Sequence, residues 1–471
     1  MKQIFALILA FMILSLSVNA QKVFKWVGLN GDTAYIFIST NLSPSDSIDI
    51  TPVPDPVGFS VGVNTFPWVP LSLYSDIGMR WVRCYFSSAW GWQPGGLAME
   101  PMHQGETQET HGMDEYLKRA DDLGVEVLLC IHQTPEWFTP TGRQDGANDH
   151  APCKPCDQRS NPESYRDYSA MLFQVAARYG RVKHPDAVLR VDKTPRWNND
   201  ILNEKKSGLN LLTFLEVWNE EKWWNKGGPN SAAYIEPETM AAMMSAAYDG
   251  HCGTMGPGVG IKTADPSMRV VMPGLTDFDL NYCKKMDQWF WDNRMDKSWP
   301  CDVISFHHYS NTGNKKGQYP AQWNSSGACT PSGDANIVSV LDVIEFAEGL
   351  GKKVWVTEFG ADTKEPSGVF AKPRLGMSAE DLQSKIIIET AEFYKAAGVE
   401  RVFIFTGPDE PGSADGGQFE SSGLFTNQST GYKPKKSALD LKAYLQNPNA
   451  LHSTKATPAN SYKFKRPLKW K

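Results

Sequence analysis

The chain has 471 residues, of which 41% are hydrophobic and 21% charged, and a formal net charge of −6. Those proportions fit a globular protein with room for one large α/β barrel or two average domains, and they exclude a fibrous or disordered chain. A mildly acidic balance offers no electrostatic attraction to nucleic acid or to an anionic membrane, so neither is expected as a partner.

Residues 1–20, MKQIFALILAFMILSLSVNA, combine Lys2, an apolar stretch and a small-residue ending at Val18-Asn19-Ala20. This reads as a secretory signal peptide, too short for a comfortable membrane span. No cysteine follows the cleavage position, so a lipid anchor is not expected, and the mature protein should be periplasmic or secreted. Residues 21–56 are polar and rich in Ser, Asp and Pro, with one β-like run at 34–38, and read as a short N-terminal extension.

From residue 57 the pattern alternates. Apolar strand-like runs fall at 57–63, 79–85, 125–131, 211–217, 269–272, 303–306, 354–357 and 402–405. Helix-like stretches lie between them, clearest at 114–123, 164–178, 237–248, 338–347, 380–397 and 436–445. Eight strands alternating with helices, without hairpin signals, predict an α/β fold: a (β/α)8 TIM barrel over 57–446 with long βα loops. An insertion at 181–210 precedes the fourth strand, and 447–471 is a basic, aromatic-containing tail read as a solvated terminus.

Eight cysteines include one CxxC, Cys153 and Cys156 in HAPCKPC. With no second CxxC or HxxxH partner in view, a loop disulfide or free thiols are expected there, and no metal or other cofactor.

Two strands end in carboxylates. LLTFLEVWNEEKWW (211–224) runs into Asn219, Glu220 and Glu221, and KKVWVTEFGAD (352–362) runs into Glu358. Chemistry in such barrels sits at the C-terminal strand ends, so Glu220 and Glu358 should share one rim. Strand alternation turns Glu221 away from Glu220, toward a helix start or solvent, and buries Glu216 lower in the barrel as structural support. Aromatic residues cluster after the strand ends; Trp90 and Trp137 are the best platforms for sugar rings, while His132 and Gln133 could bond a hydroxyl.

An Asn-Glu pair ending strand 4 and a glutamate ending strand 7 resemble the clan of retaining glycoside hydrolases built on (β/α)8 barrels, over about residues 57–446. Phe214-Leu215-Glu216-Val217-Trp218-Asn219-Glu220 is similar to glycoside hydrolase family 39, which includes β-xylosidases. The resemblance implies Glu220 as acid/base and Glu358 as nucleophile, with carboxyls roughly 5–5.5 Å apart. It implies Asn219 on the sugar 2-hydroxyl and Arg83 holding the nucleophile ionised. An arginine among Trp81, Val82, Cys84 and Tyr85 is also costly to bury unpaired. In FHHYS, His307, His308 and Tyr309 resemble the segment that orients the nucleophile, with His308 or Tyr309 expected to face the pocket. Thr406 stands where many relatives carry a tryptophan beneath the reacting sugar. The expected activity is metal-independent retaining hydrolysis of plant or algal oligosaccharides or polysaccharides, β-xylosidase-like. The alternatives are an endo-acting β-glucanase and a carbohydrate-binding barrel without catalysis.

Overall fold

In the computed structural model the described residues are 22–27, 33–38, 58–98, 112–138, 150–194, 203–221, 234–276, 279–309, 340–373, 376–412 and 417–446. The signal-like segment, Trp223, Trp224 and the basic tail lie outside them. In the N-terminal extension two strands pair antiparallel, β1 (Lys22–Val27) and β2 (Thr33–Ile38), with Lys22 opposite Ile38. The alternating Lys-Val-Phe-Lys-Trp-Val supplies the second strand that the 34–38 run needed as a partner.

Eight parallel strands close a barrel in chain order: β3 (Ser60–Thr65), β4 (Trp81–Ser87), β7 (Glu126–His132), β8 (Phe214–Glu216), β9 (Arg269–Val271), β10 (Val303–His307), β11 (Lys353–Phe359) and β12 (Arg401–Ile404). Each overlaps one predicted run. Between the second and third barrel strands, β5 (Trp92–Gln93) and β6 (Gly96–Leu97) form a small antiparallel ribbon in a long loop.

Helices cover the outside: α1 (Met113–Asp122), α2 (Arg166–Tyr179), α3 (Pro237–Asp249), α4 (Leu280–Asn293), α5 (Val340–Gly349), α6 (Ala379–Ala397) and α7 (Lys436–Gln446). Of these, α4 was not among the predicted stretches. Its buried Tyr282, Cys283, Met286, Trp289 and Phe290 recur at helical spacing, and Asp279 caps it by accepting from the backbone N–H of Asn281 and Tyr282. No helix among the described residues is long and apolar enough to cross a membrane.

The barrel floor is an apolar plug of Trp81, Leu128, Phe214, Val271, Val303, Trp355 and Phe403, one side chain from each strand after the first. The first strand contributes Gly62 instead. A Cβ there would sit 2.6 Å from Phe403 and 2.9 Å from Trp81, so two large rings occupy the space of a third. Cys153 and Cys156 form a disulfide, and the other cysteines among the described residues are buried thiols.

Candidate active site

Two residues beyond the plug, alternation brings the next inward layer, and on six of the eight strands it is polar or a thiol. Asn64, Arg83, Cys130, Glu216, Ser305 and Thr357 all lie at 0% exposure. Arg83 organises this layer. Its Nε donates to Glu216 at 2.6 Å, and Nη1 donates to Asn64 at 2.9 Å, to the Tyr85 hydroxyl at 2.5 Å and to Glu358 Oε1 at 2.9 Å. Nη2 reaches Glu216 at 3.2 Å and Asn219 Oδ1 at 2.7 Å. A guanidinium cannot accept a hydrogen bond, so Arg83 fixes the Asn219 amide with its oxygen inward and both N–H donors turned elsewhere. Glu216 also accepts from Gly274 N at 2.9 Å, which completes the pairing its burial required.

The third layer carries Phe66, Tyr85, His132 and His307. It also receives Glu220 and Glu358, which reach the mouth by breaking the alternation. On β11 one extra residue enters the ladder: His307 pairs with Glu358, not Thr357, and the register toward β12 shifts between Val356 and Phe359. The bulge turns Glu358 inward beside Thr357. After β8, Glu220 adopts φ 58, a left-handed conformation uncommon for a non-glycine residue. That turn lets Asn219 and Glu220 both face the mouth.

Glu358 accepts from the Tyr85 hydroxyl at Oε1 and from the Tyr309 hydroxyl at Oε2, the latter at 2.9 Å. Burial alone would raise its pKa, but His307, Arg83 and the two tyrosine donors outweigh burial and hold the carboxyl below its ordinary value. His307 is itself pushed toward the neutral form by burial, so Arg83 is the permanent cation beside Glu358. His307 Nδ1 lies 2.8 Å from Glu220 Oε1, and Nε2 lies 3.3 Å from Glu358 Oε1. Facing atoms of Glu220, His307 and Glu358 all fall within 4.8 Å of one another. These donor types could also hold a cation, but Arg83 and two hydroxyls already serve Glu358.

Gly274 makes the histidine's position possible: a Cβ there would come within 2.4 Å of His307 Nε2 and 2.5 Å of Thr357 Oγ1. Tyr85 was not singled out from the sequence, and in FHHYS the residue expected to face the pocket was His308 or Tyr309 and not His307, although alternation counted from Val303 and from Trp81 aims both inward.

Other expectations fare variously. Tyr309 faces Glu358, whereas His308 does not face the pocket. The alternation that turns His307 inward turns His308 outward, where Nδ1 lies 2.6 Å from the Tyr394 hydroxyl on α6 and burial pushes its pKa down to about 3. Glu221 is not a solvent residue: it is buried, accepts from Thr276 N at 2.8 Å, and ties the segments after β8 and β9 together. His132 packs edge-on to Tyr85 at 5.4 Å, its pKa lowered to about 3 by burial and then by Arg83. Trp137 is 42% exposed, with its Nε1 donating to Trp92 O at 3.0 Å and its ring on Trp92 and Phe138. The side chain of Trp90 lies outside the described residues. Thr406 is buried and donates to Asn64 O at 3.1 Å. Beside it Phe405 packs on Tyr85 and Phe419, and Phe419 also meets Tyr309.

Neither a protein-family model nor a curated protein matches the chain. Among solved structures the barrel is similar to a family 39 glycoside hydrolase from the gut symbiont Bacteroides cellulosilyticus, with TM-score 0.50 and 14% identity over 89% of this chain and 68% of that one. It also matches a glucosidase from Croceicoccus marinus, with TM-score 0.47 and 11% identity over 83% of this chain and 69% of that one. A third match is xylanase 10B from Thermotoga petrophila, with TM-score 0.44 and 12% identity over 83% of this chain and 95% of that one. The closed parallel barrel and the first of these likenesses agree on a (β/α)8 fold. At such identities the likeness speaks for the architecture alone, and the chemistry rests on the site.

Proposed function

We propose that the protein is an exported retaining β-glycosidase that hydrolyses plant or algal polysaccharide fragments by double displacement. The observation that carries this reading is the close set of Glu220, His307 and Glu358, with facing atoms within 4.8 Å at the barrel mouth. Retention calls for carboxyls about 5–5.5 Å apart, whereas inversion leaves room for water between groups about 6.5–9.5 Å apart.

In the first step Glu220 gives its proton to the glycosidic oxygen while Glu358 attacks the anomeric carbon. The bond to the leaving sugar breaks and an ester to Glu358 forms. In the second step Glu220 takes a proton from water, which attacks the same carbon and frees Glu358. Arg83, Tyr85 and Tyr309 support an ionised, oriented nucleophile. The Asn219 amide is free to offer N–H to the sugar 2-hydroxyl, a contact that strengthens in the transition state. Neutral His307 has one N–H and one acceptor. With Glu220 protonated, Glu220 donates to Nδ1 and the imidazole N–H faces Glu358; with Glu220 ionised, the N–H moves to Nδ1.

We assign β-xylose to the first subsite on the resemblance of Phe214–Glu220 to family 39. Export is supported by residues 1–20 and by the Cys153–Cys156 disulfide, a linkage that persists in oxidising compartments. The test is a screen of 4-nitrophenyl β-glycosides alongside xylan and β-glucan, repeated with Glu358→Gln and Glu220→Ala. Glu358→Gln should lose turnover, and Glu220→Ala should regain rate with azide and yield a β-glycosyl azide. An α-azide product would refute retention.

A further inference from the structure

One aromatic feature of the mouth is unused by this mechanism. After β3 the chain makes a turn that exposes Trp68, at 51% one of the most exposed large apolar side chains among the described residues. The turn is anchored: Val69 and Leu71 are buried, and Val69 N donates to Phe66 O at 3.1 Å. Phe66 and Trp68 stack almost parallel, with centroids 4.7 Å apart and planes 7° from each other. On its other side Phe66 stacks on Tyr85 at 5.5 Å, and Tyr85 donates to Glu358. An unbroken line of rings thus leads from the nucleophile to an indole that is half open to solvent.

The direction of that line has meaning. A sugar attacked by Glu358 has its leaving group on the side of Glu220, which follows β8. The rings of Phe66 and Trp68 belong to the turn after β3 and Tyr85 to β4, and the line meets the catalytic pair at Glu358, through the Tyr85 hydroxyl. They therefore border the half of the mouth away from the leaving group. A flat, rigid indole with an open face suits the apolar C–H face of a sugar, and it loses little side-chain entropy on binding because its turn is already ordered.

Resting on the glycosidase reading, we infer that Trp68, backed by Phe66, forms a subsite for a second sugar on the glycone side. The preferred substrates then present at least two linked sugars before the scissile bond, not a single terminal residue.

The test compares 4-nitrophenyl β-xyloside, β-glucoside and β-mannoside with the matching β-xylobioside, β-cellobioside and β-mannobioside, in the wild-type chain and in Trp68→Ala and Trp68→Phe. The wild type should cleave one disaccharide glycoside with kcat/KM at least tenfold above its monosaccharide counterpart. Trp68→Ala should reduce that ratio by tenfold or more, mainly through KM, and Trp68→Phe should recover part of it. A wild-type ratio near one would overturn the subsite, as would a ratio untouched by Trp68→Ala. Release from none of the six glycosides, with no cleavage of xylan, β-glucan or mannan, would overturn the glycosidase reading itself and the subsite with it.

Discussion

Arg83, itself at 0% exposure, distributes its N–H donors over the carboxylates of Glu216 and Glu358, the amide oxygens of Asn64 and Asn219 and the Tyr85 hydroxyl. Its removal would leave Glu216 and Glu358 buried without their cation, an expensive state. The pH consequence has a definite sign. As the proposed nucleophile Glu358 must be ionised to attack, and its carboxyl is held below the ordinary value near 4.5. Activity should therefore persist as pH falls, until it is lost through that depressed pKa. In Arg83→Met the acid limb of kcat/KM should move upward by about 1–3 pH units, the usual effect of one adjacent cation. An unmoved limb would assign Arg83 to the scaffold alone. His307→Gln removes a group that can take a proton from one carboxyl while donating to the other, and kcat should fall on the order of 10²-fold. A rate within about threefold of wild type would remove His307 from proton handling.

At the level of strands and helices, what could be read in advance was whatever follows a regular period. The eight strand runs and six helices follow from spacing, and counting by twos from Trp81 or Val303 reaches Arg83, Tyr85, His307 and Tyr309. Alternation fails on β11 and after β8, where the bulge and the left-handed Glu220 aim the two carboxylates. That explains why parity separated Glu220 from Glu221 correctly and still misjudged Glu221. The backbone turn sends it into a buried bond with Thr276, not into water. Local strain of about 1–3 kcal/mol is tolerated where surrounding structure over-determines the conformation, and it concentrates at functional positions. Gly274 carries the same lesson, since nothing in PGLTD reveals that His307 needs the missing Cβ. Gly274→Ala should keep the barrel's circular dichroism while lowering kcat at least tenfold; unchanged kinetics would mean that His307 can shift without consequence. In the plug, Trp355→Ala should cost about 3–5 kcal/mol in denaturant unfolding, because seven interlocked side chains cannot collapse into the gap.

For the whole molecule, the proposed export makes a direct prediction: protein recovered from the periplasm or medium should begin at Gln21. Retention of residues 1–20 on the mature chain would end the signal-peptide reading. The Cys153–Cys156 bridge closes a very short loop, so Cys153→Ser should cost no more than about 2 kcal/mol and leave activity in place. The plug has a different consequence. Trp81, Phe214, Trp355 and Phe403 seal the barrel beneath Arg83, so substrate, departing sugar and incoming water share a single entrance. On the proposed double displacement, the sugar bound to Glu358 is then trapped until its former partner vacates the mouth, and whichever hydroxyl arrives next takes it. With water alone the outcome is hydrolysis. Crowded with alcohols or free sugars, the same architecture becomes a synthase, building new β-linkages in proportion to acceptor concentration.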